Sequence, residues 1–420
     1  MDRAELSRLL GWTPAQSPSP VSWSPEGCVV AEREPVQFIA RFGEAVAAGG
    51  PVFLADPNWG EGERAQLQAL LRQTPGSAPS EGGAGEPRWP LEYGWLGIPT
   101  GGSSGHLRLV RHDAATLAAA VRGFCTHFGV TRINAVGLLP LHHVSGLMAW
   151  LRTVLTGGTY LPCSWKAVEA GERPGLPAGR GDWFLSLVPT QLQRLLGDPA
   201  AEAWLRGFRA VFVGGGPAWP ELLAAGARAR LPLAFAYGMT ETAAMVTALR
   251  PDEFLAGSRG CGAVLPHAHL EVAADEGRIL VGGASLFRGY WPETRTGNVW
   301  ASEDWGRFDD HGSLQVLGRH DAVIITGGEK VNPAEVEAAL RASGRFSDVV
   351  VLGVPDPRWG AAVVACYPAS DGGMQAQPAL PQLAAYKHPK RYVGVPAWPR
   401  NAQGKVNRVA LRAWLVATEG

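Results

Sequence analysis

Three short apolar runs that break at glycine or small polar residues constrain the fold of this chain most. They are AVGLLPL (135–141), RAVFVGGGP (209–217) and LPLAFAYG (231–238), and each reads as a buried strand. After the first, an apolar helix begins at about Leu147 and stops at Gly157-Gly158. Strands of this kind alternating with helices imply a largely parallel sheet covered by helices, an α/β fold.

The 420 residues exceed what one hydrophobic core serves, about 250–300 residues, so at least two domains are expected. Residues 73–90, QTPGSAPSEGGAGEPRWP, read as a loop between an N-terminal segment and the main body. From Ser258 to Leu317 the texture changes to short strands with tight turns at Asp275-Glu276-Gly277 and His311-Gly312, an antiparallel subregion or barrel. A compact unit begins at Arg319. There Asn332 is a good N-cap, Pro333 suits the first helical position, Glu335 completes a capping-box-like pattern and Gly344 closes the helix. DVVVLGV and AAVVACY supply two strands. The expected division is 1–318 and 319–420.

Charge narrows the partners. Basic and acidic side chains number 38 each, so no net field attracts nucleic acid or an anionic membrane, while small charged ligands remain compatible. No apolar run is long enough to span a bilayer. The five cysteines show no C-x-x-C pair and an odd count, which fits neither a zinc signature nor a disulfide framework and points to a reduced cytoplasmic setting. Association with further copies of the chain stays open. Only Lys166, Lys330, Lys387, Lys390 and Lys405 are lysines among the 38 cations. In a chain that otherwise uses arginine, a retained lysine suggests a need for a compact point charge.

Several segments carry candidate chemistry. I98-P-T-G-G-S-S-G-H-L-R-L-V-R-H112 packs glycines around two hydroxyls, a composition that lets backbone N–H groups close on an anion. It does not fit the P-loop pattern, and a surface loop has the same composition. In Y237-G-M-T-E-T-A-A244 a strand ends in a polar turn whose carboxylate could hold Mg²⁺. Alternatively, Thr240 caps a helix with Glu241 in its first turn. V213-G-G-G-P217 reads equally as a tight strand-to-loop turn.

Taken in order, these segments and S302-E-D-W-G-R-F-D-D-H-G312, G318-R-H-D-A-V-I-I-T-G-G-E-K-V-N-P-A-E-V-E337 and P399-R-N-A-Q-G-K-V-N-R408 resemble the acyl-adenylate-forming (ANL) superfamily of acyl-CoA synthetases, adenylation domains and luciferases. The resemblance covers Pro99 to Arg408. L139-P-L-H-H-V-S-G-L147, S186-L-V-P-T-Q-L-Q-R-L-L196 and P51-V-F-L-A-D-P-N-W-G60 add a likeness to o-succinylbenzoate:CoA ligases of menaquinone and phylloquinone synthesis. The resemblance implies a large N-terminal domain of αβ-layered sheets with a barrel-like subregion, plus a small, mobile α+β C-terminal domain. It also implies ATP, Mg²⁺ and coenzyme A as reactants, and the condensation of o-succinylbenzoate with coenzyme A through an acyl-adenylate. An aryl- or acyl-CoA ligase of other specificity, or a non-catalytic nucleotide-binding protein of the same fold, are the alternatives.

By the same resemblance, Lys405 is the catalytic amine, Thr240 meets phosphate and Glu241 holds magnesium. Thr100, Gly102, Ser103, Ser104, Gly105 and Arg108 would form the phosphate loop. Gly215, Gly216, Tyr237 and Gly238 would flank adenine, and Asp304 with Arg319 would take the ribose. His143 aligns with the acyl-pocket histidine, with Ser145, Ser186, Thr190, Gln191 and Arg194 as further substrate candidates. After adenylation the small domain would swing so that Gly327 and Gly328 replace Lys405 and admit the thiol. The chain departs from the family's pattern in three places. His106 and Arg108 stand where relatives commonly carry lysine, Ala322 stands at the hinge beside Asp321, and the region before Pro99 lacks the usual first motifs.

Overall fold

The computed structural model describes residues 1–11, 27–73, 94–101, 107–177, 182–216, 218–372, 378–400 and 405–419. The N-terminal region, whose architecture the sequence left open, builds a four-stranded sheet in the order β1 (Cys28–Val30), β2 (Val52–Leu54), β3 (Leu96–Gly101), β4 (Leu107–His112). The first three strands are parallel and β4 runs back against β3. The helix Pro35–Ala48 buries Phe38, Phe42, Ala45 and Val46, one stripe at helical spacing, and stops at Gly49, whose φ of 91° a side chain would resist.

The central sheet holds the three apolar runs. Its strands are β5 (Ile133–Gly137), β6 (Tyr160–Pro162), β7 (Asp182–Leu187), β8 (Ala210–Val213), β9 (Leu233–Met239), β10 (Ala244–Ala248) and β11 (Ala263–Val264). Their order is β11-β10-β9-β8-β7-β5-β6. From β9 to β6 all pairs are parallel, while β10 runs back against β9 and β11 against β10. The expected apolar helix is Val144–Leu155, and every residue from Gly146 to Thr153 is buried. It is buried over two turns because it lies between layers, sharing a core with Phe42 and Leu96 of the first sheet and Leu117 of the helix Ala114–Phe128. Its one buried cation, Arg152, lays its guanidinium 4.4 Å from the centre of the Phe124 ring.

The region of changed texture is an antiparallel four-stranded sheet, β12 (Ala268–Val272), β13 (Arg278–Gly283), β14 (Val299–Phe308) and β15 (Leu314–Arg319). A hairpin follows, β16 (Ile324–Thr326) and β17 (Glu329–Val331). Its two turn residues, Gly327 and Gly328, have φ of 59° and 85°, the positive pair that a type I′ turn demands.

The last sheet is β18 (Val350–Asp356), β19 (Gly360–Pro368) and β20 (Arg391–Val395). Val349, Val351, Val363, Ala365 and Tyr367 pack with Val336 and Leu340 of the helix Pro333–Ala342. The intervening Val350, Leu352, Val354, Ala362, Val364 and Cys366 pack with Leu411 and Leu415 of the helix Arg408–Glu419. A helix on each face explains why these strands read as unbroken apolar runs. Asn332 caps its helix as expected, accepting from the Ala334 N–H at 3.1 Å. Glu335 does not complete a capping box. It is drawn instead to Lys387 Nζ, which donates to both carboxylate oxygens at 2.7 Å. No helix among the described residues is long and apolar enough to cross a membrane.

Candidate active site

Parallel strands place their carboxyl ends on one edge, where the chain leaves each strand for a loop and backbone groups are free to meet a ligand. From that edge β5 leads to His142 and His143, β7 to Val188, β8 to Gly215 and β9 to Thr240 and Glu241. The candidate residues therefore converge from four strands of one sheet.

Tyr237 is buried near the end of β9, and its hydroxyl donates to Asp304 Oδ2 at 2.8 Å. Asp304 lies on β14, where its strand register sets it opposite Arg319 on β15. Arg319 Nη1 is 3.4 Å from Asp304 Oδ1, and its Nε and Nη2 donate to the two oxygens of Asp321 at 2.8 and 2.7 Å. Burial raises the Asp304 pKa above the usual carboxylate range, opposed by Arg319 and the Tyr237 hydroxyl. Hydrogen bonding to Asp321 holds the Arg319 guanidinium firmly charged. Asp321 thus ties the segment that enters the small lobe to the Asp304–Arg319 pair, beside the unusual Ala322.

Thr240 and Glu241 do not open a helix. They form a single 3₁₀ turn, Thr240–Thr242, closed by Ala243 and Ala244 at φ of 52° and 80°. Two successive left-handed alanines are a local strain. The Thr242 hydroxyl helps to hold the turn, accepting from the Met239 N–H at 3.0 Å. Gly238 belongs to the same device, since a Cβ there would collide with the Ala244 carbonyl oxygen. Glu241 is buried, and its Oε1 accepts from the Tyr290 hydroxyl at 2.7 Å. The Arg108 guanidinium stacks 4.4 Å from the centre of the Tyr290 ring, so the exposed cation of β4 reaches this carboxylate's partner. A buried carboxylate fixed by a hydroxyl is a hard oxygen donor of the kind Mg²⁺ accepts. The Thr240 carbonyl accepts from His112 Nε2 at 2.7 Å, and His112 Nδ1 meets the Thr116 hydroxyl at 3.0 Å. Burial lowers the His112 pKa to about 4, so it works as a neutral imidazole.

Lys405 reaches this edge from the small lobe. Its Nζ lies so close over Gly215 that a Cβ on that glycine would collide with it, and Val188 Cγ1 lies 3.9 Å from the same point. Gly215 itself has φ of 78°. The positive φ favours glycine, and any side chain there would push the Lys405 ammonium aside. Burial lowers the Lys405 pKa to about 8. His143 is held to about 3 by burial first, then by His142, with Lys405 adding its repulsion. Its ring packs on that of His142 with centroids 4.4 Å apart. His142 Nε2 faces Asp56 Oδ2 at 3.5 Å. Burial pushes the Asp56 carboxyl up, but His142 and the Asn58 N–H outweigh that and hold it at about 2.

The remaining candidates are placed differently. Thr100 pairs with Arg108 across β3 and β4, next to the phosphate-loop residues Gly102, Ser103, Ser104 and Gly105, which lie outside the described residues, as does His106. Gly216 is exposed beside Gly215, and Ser145 is half-buried in the helix Val144–Leu155. Ser186 is half-buried on β7, and Thr190 half-buried in the helix Pro189–Leu195. Gln191 is buried and its Oε1 accepts from the Val188 N–H at 3.0 Å, while exposed Arg194 pairs with Glu169. Gly327 sits against the Trp359 ring and donates its N–H to the Trp359 carbonyl at 2.8 Å. Tyr290, His112, Asp56 and His142 carry no role in the sequence reading. Their partners are 49, 128 and, for Asp56 with His142, 86 positions away; Asp56, His112 and His142 lie in quoted motifs, but nothing local shows what they meet.

A large lobe whose sheet edge receives one amine from a small α+β lobe has the architecture of adenylate-forming enzymes. Residues 96–291 match the AMP-binding enzyme model and residues 335–405 the AMP-binding enzyme C-terminal domain. A 2-succinylbenzoate–CoA ligase of Geobacillus kaustophilus is 34% identical over 67% of this chain and 61% of its own. A probable 2-succinylbenzoate–CoA ligase of Mycobacterium tuberculosis is 33% identical over 75% of this chain and 83% of its own. The chain belongs to the AMP-binding enzyme family. Its fold is also that of o-succinylbenzoate CoA synthetase (MenE) from Bacillus subtilis, solved with the acyl-adenylate OSB-AMP. That likeness has a TM-score of 0.65 at 24% identity, over 86% of this chain and 78% of the other. The chain spans about three fifths of the length of the first curated relatives it matches, 61% and 59% in two cases.

Proposed function

We propose that the chain joins o-succinylbenzoate to coenzyme A at the expense of ATP, releasing AMP and pyrophosphate. The observation that carries this reading is the placement of Lys405 Nζ at Gly215, within electrostatic reach of His143. In the first half-reaction the acid's carboxylate attacks the α-phosphorus of ATP, and pyrophosphate leaves. Two anions must approach, and an ammonium fixed where charge accumulates lowers that barrier more than the same charge in water. Asp304 and Arg319 orient the nucleotide through its ribose, with Tyr237 fixing the Asp304 carboxylate. Thr240 meets phosphate, and Glu241 holds magnesium, which supplies further neutralising charge when bound. His143, neutral and half-buried, lines the acyl pocket without adding a charge of its own.

In the second half-reaction the thiol of coenzyme A attacks the acyl carbon and AMP leaves. We infer that residues 319–420 rotate as a unit for this step, carrying Lys405 away and bringing the Gly327-Gly328 turn in its place. The type I′ geometry supports that role, because it presents backbone without side chains at the tip. The relatives' names support the acid and the thiol. We also infer a cytoplasmic location, consistent with five free cysteines.

Acid-dependent exchange of labelled pyrophosphate into ATP tests the reading. o-Succinylbenzoate should give the fastest exchange across a panel of aryl and fatty acids. Faster exchange with another acid would reassign the substrate, and no exchange with any acid would leave a nucleotide-binding protein.

A further inference from the structure

Among the described residues, one group of side chains has the donors of a metal site and no part in the nucleotide chemistry. Asp56, at the carboxyl end of β2, and His142 and His143, in the loop after β5, bring one ligand atom each to within 4.8 Å of one another. His142 is 5% exposed, and its Nε2 has no hydrogen-bond partner among the described residues. A buried imidazole nitrogen left in this way is costly unless something occupies it. It faces Asp56 Oδ2 at 3.5 Å. The other carboxylate oxygen, Oδ1, is already held by the Asn58 N–H at 2.9 Å and the Asn58 side-chain amide at 3.0 Å. Asn58 therefore fixes the carboxylate with one oxygen turned to the histidines, the work of an outer-shell partner. His143 begins the helix Val144–Leu155, yet its side chain makes no capping bond.

We propose that Asp56, His142 and His143 bind a divalent ion of the zinc type at the acyl-pocket side of the active site, separate from the magnesium position at Glu241. Tetrahedral zinc with bonds of about 2.0–2.2 Å separates its ligand atoms by about 3.3 Å. The His142–Asp56 spacing of 3.5 Å already meets that, and the His143 ligand atom lies within 4.8 Å of both. Two imidazoles and a carboxylate favour zinc, cobalt or nickel over magnesium, which prefers oxygen throughout. Three protein ligands leave a fourth position for water or a carboxylate. Because Lys405 acts electrostatically on His143 in this lobe arrangement, ion and ammonium disfavour each other.

The test is a zinc titration of the full chain without nucleotide or acid, followed by cobalt(II) substitution read by absorbance. Omitting the substrates separates this proposal from the proposed reaction, since a chain inactive in pyrophosphate exchange can still bind zinc. One equivalent should bind, cobalt should show d–d bands of a nitrogen and oxygen set, and Asp56→Asn and His142→Phe should each weaken binding at least about tenfold. Asp56→Asn retains the side-chain volume and guards against misfolding, which circular dichroism checks in both variants. Absence of stoichiometric zinc, unchanged affinity in both folded variants, or a thiolate-to-cobalt charge-transfer band would each overturn the assignment.

Discussion

The two lobes serve the site in opposite ways. In the large lobe, side chains facing the site are tied in place by neighbours within it. Glu241 is held by Tyr290, Asp304 by Tyr237, and the Thr240 backbone by His112. The small lobe sends one ammonium on a four-carbon stem to Gly215. The contrast separates preorganisation from delivery. A frame of fixed dipoles costs nothing to reorganise during reaction, whereas a delivered charge can be withdrawn when the next step requires space.

The contrast breaks most severely at the delivered charge. Lys405→Ala should lower acid-dependent pyrophosphate exchange by about 10²–10³-fold, the usual loss for one electrostatic group. Thioester formation from preformed acyl-adenylate should change less than about tenfold, since the amine has left by then. Equal losses in both assays would contradict separate roles for the lobes.

Gly215→Ala tests the receiving side. The added methyl must displace the Lys405 ammonium and adopt φ of 78°, and displacement of a catalytic group by about 1 Å can cost about a hundredfold. Exchange should fall by about ten- to a hundredfold, with less change in the thermal midpoint than in rate.

The delivered charge also titrates. Burial lowers the Lys405 pKa to about 8, so the ammonium is present below that pH and is lost above it. The kcat/KM for adenylation should fall about tenfold per pH unit on the alkaline side. Thioester formation should lack this limb. Burial holds two histidines of the frame well below neutrality, His112 at about 4 and His143 at about 3. For His112 the folded pKa lies below the unfolded value of about 6.5, so its neutral form stabilises the fold above that pH. This contribution is lost as the pH falls toward 4.

Smallest is the loss of one hydroxyl from the frame. Tyr290→Phe removes the hydrogen bond to Glu241 while keeping the ring under Arg108. The magnesium concentration giving half-maximal exchange should rise by about three- to tenfold, the net worth of one ordinary hydrogen bond. An unchanged magnesium requirement would show that the Tyr290 hydroxyl does not position Glu241 for the metal.

What the sequence disclosed follows from which contacts are local. Gly215, Tyr237, Thr240, Glu241, Asp304 and Lys405 sit in ordered motifs, and their strands could be read from apolar runs. The helix Val144–Leu155 was legible because it is a largely apolar run that stops at Gly157-Gly158. Hidden were the partners that hold the frame, since Tyr290, His112 and Asp56 meet their targets only after distant segments fold together. Two local readings failed for the same reason. Glu335 answers a lysine 52 positions away instead of its own helix terminus. Thr240 was open to reading as a helix cap, but left-handed Ala243 and Ala244 return the chain along β10.

The sheet β18–β20 is clothed by a helix on each face, so its apolar residues are used on both sides. Such a slab resists bending as a plank does, and an amine anchored to it inherits the slab's orientation. A cavity cut deep in either layer, far from the site, would therefore cost stability and also disturb the aim of Lys405.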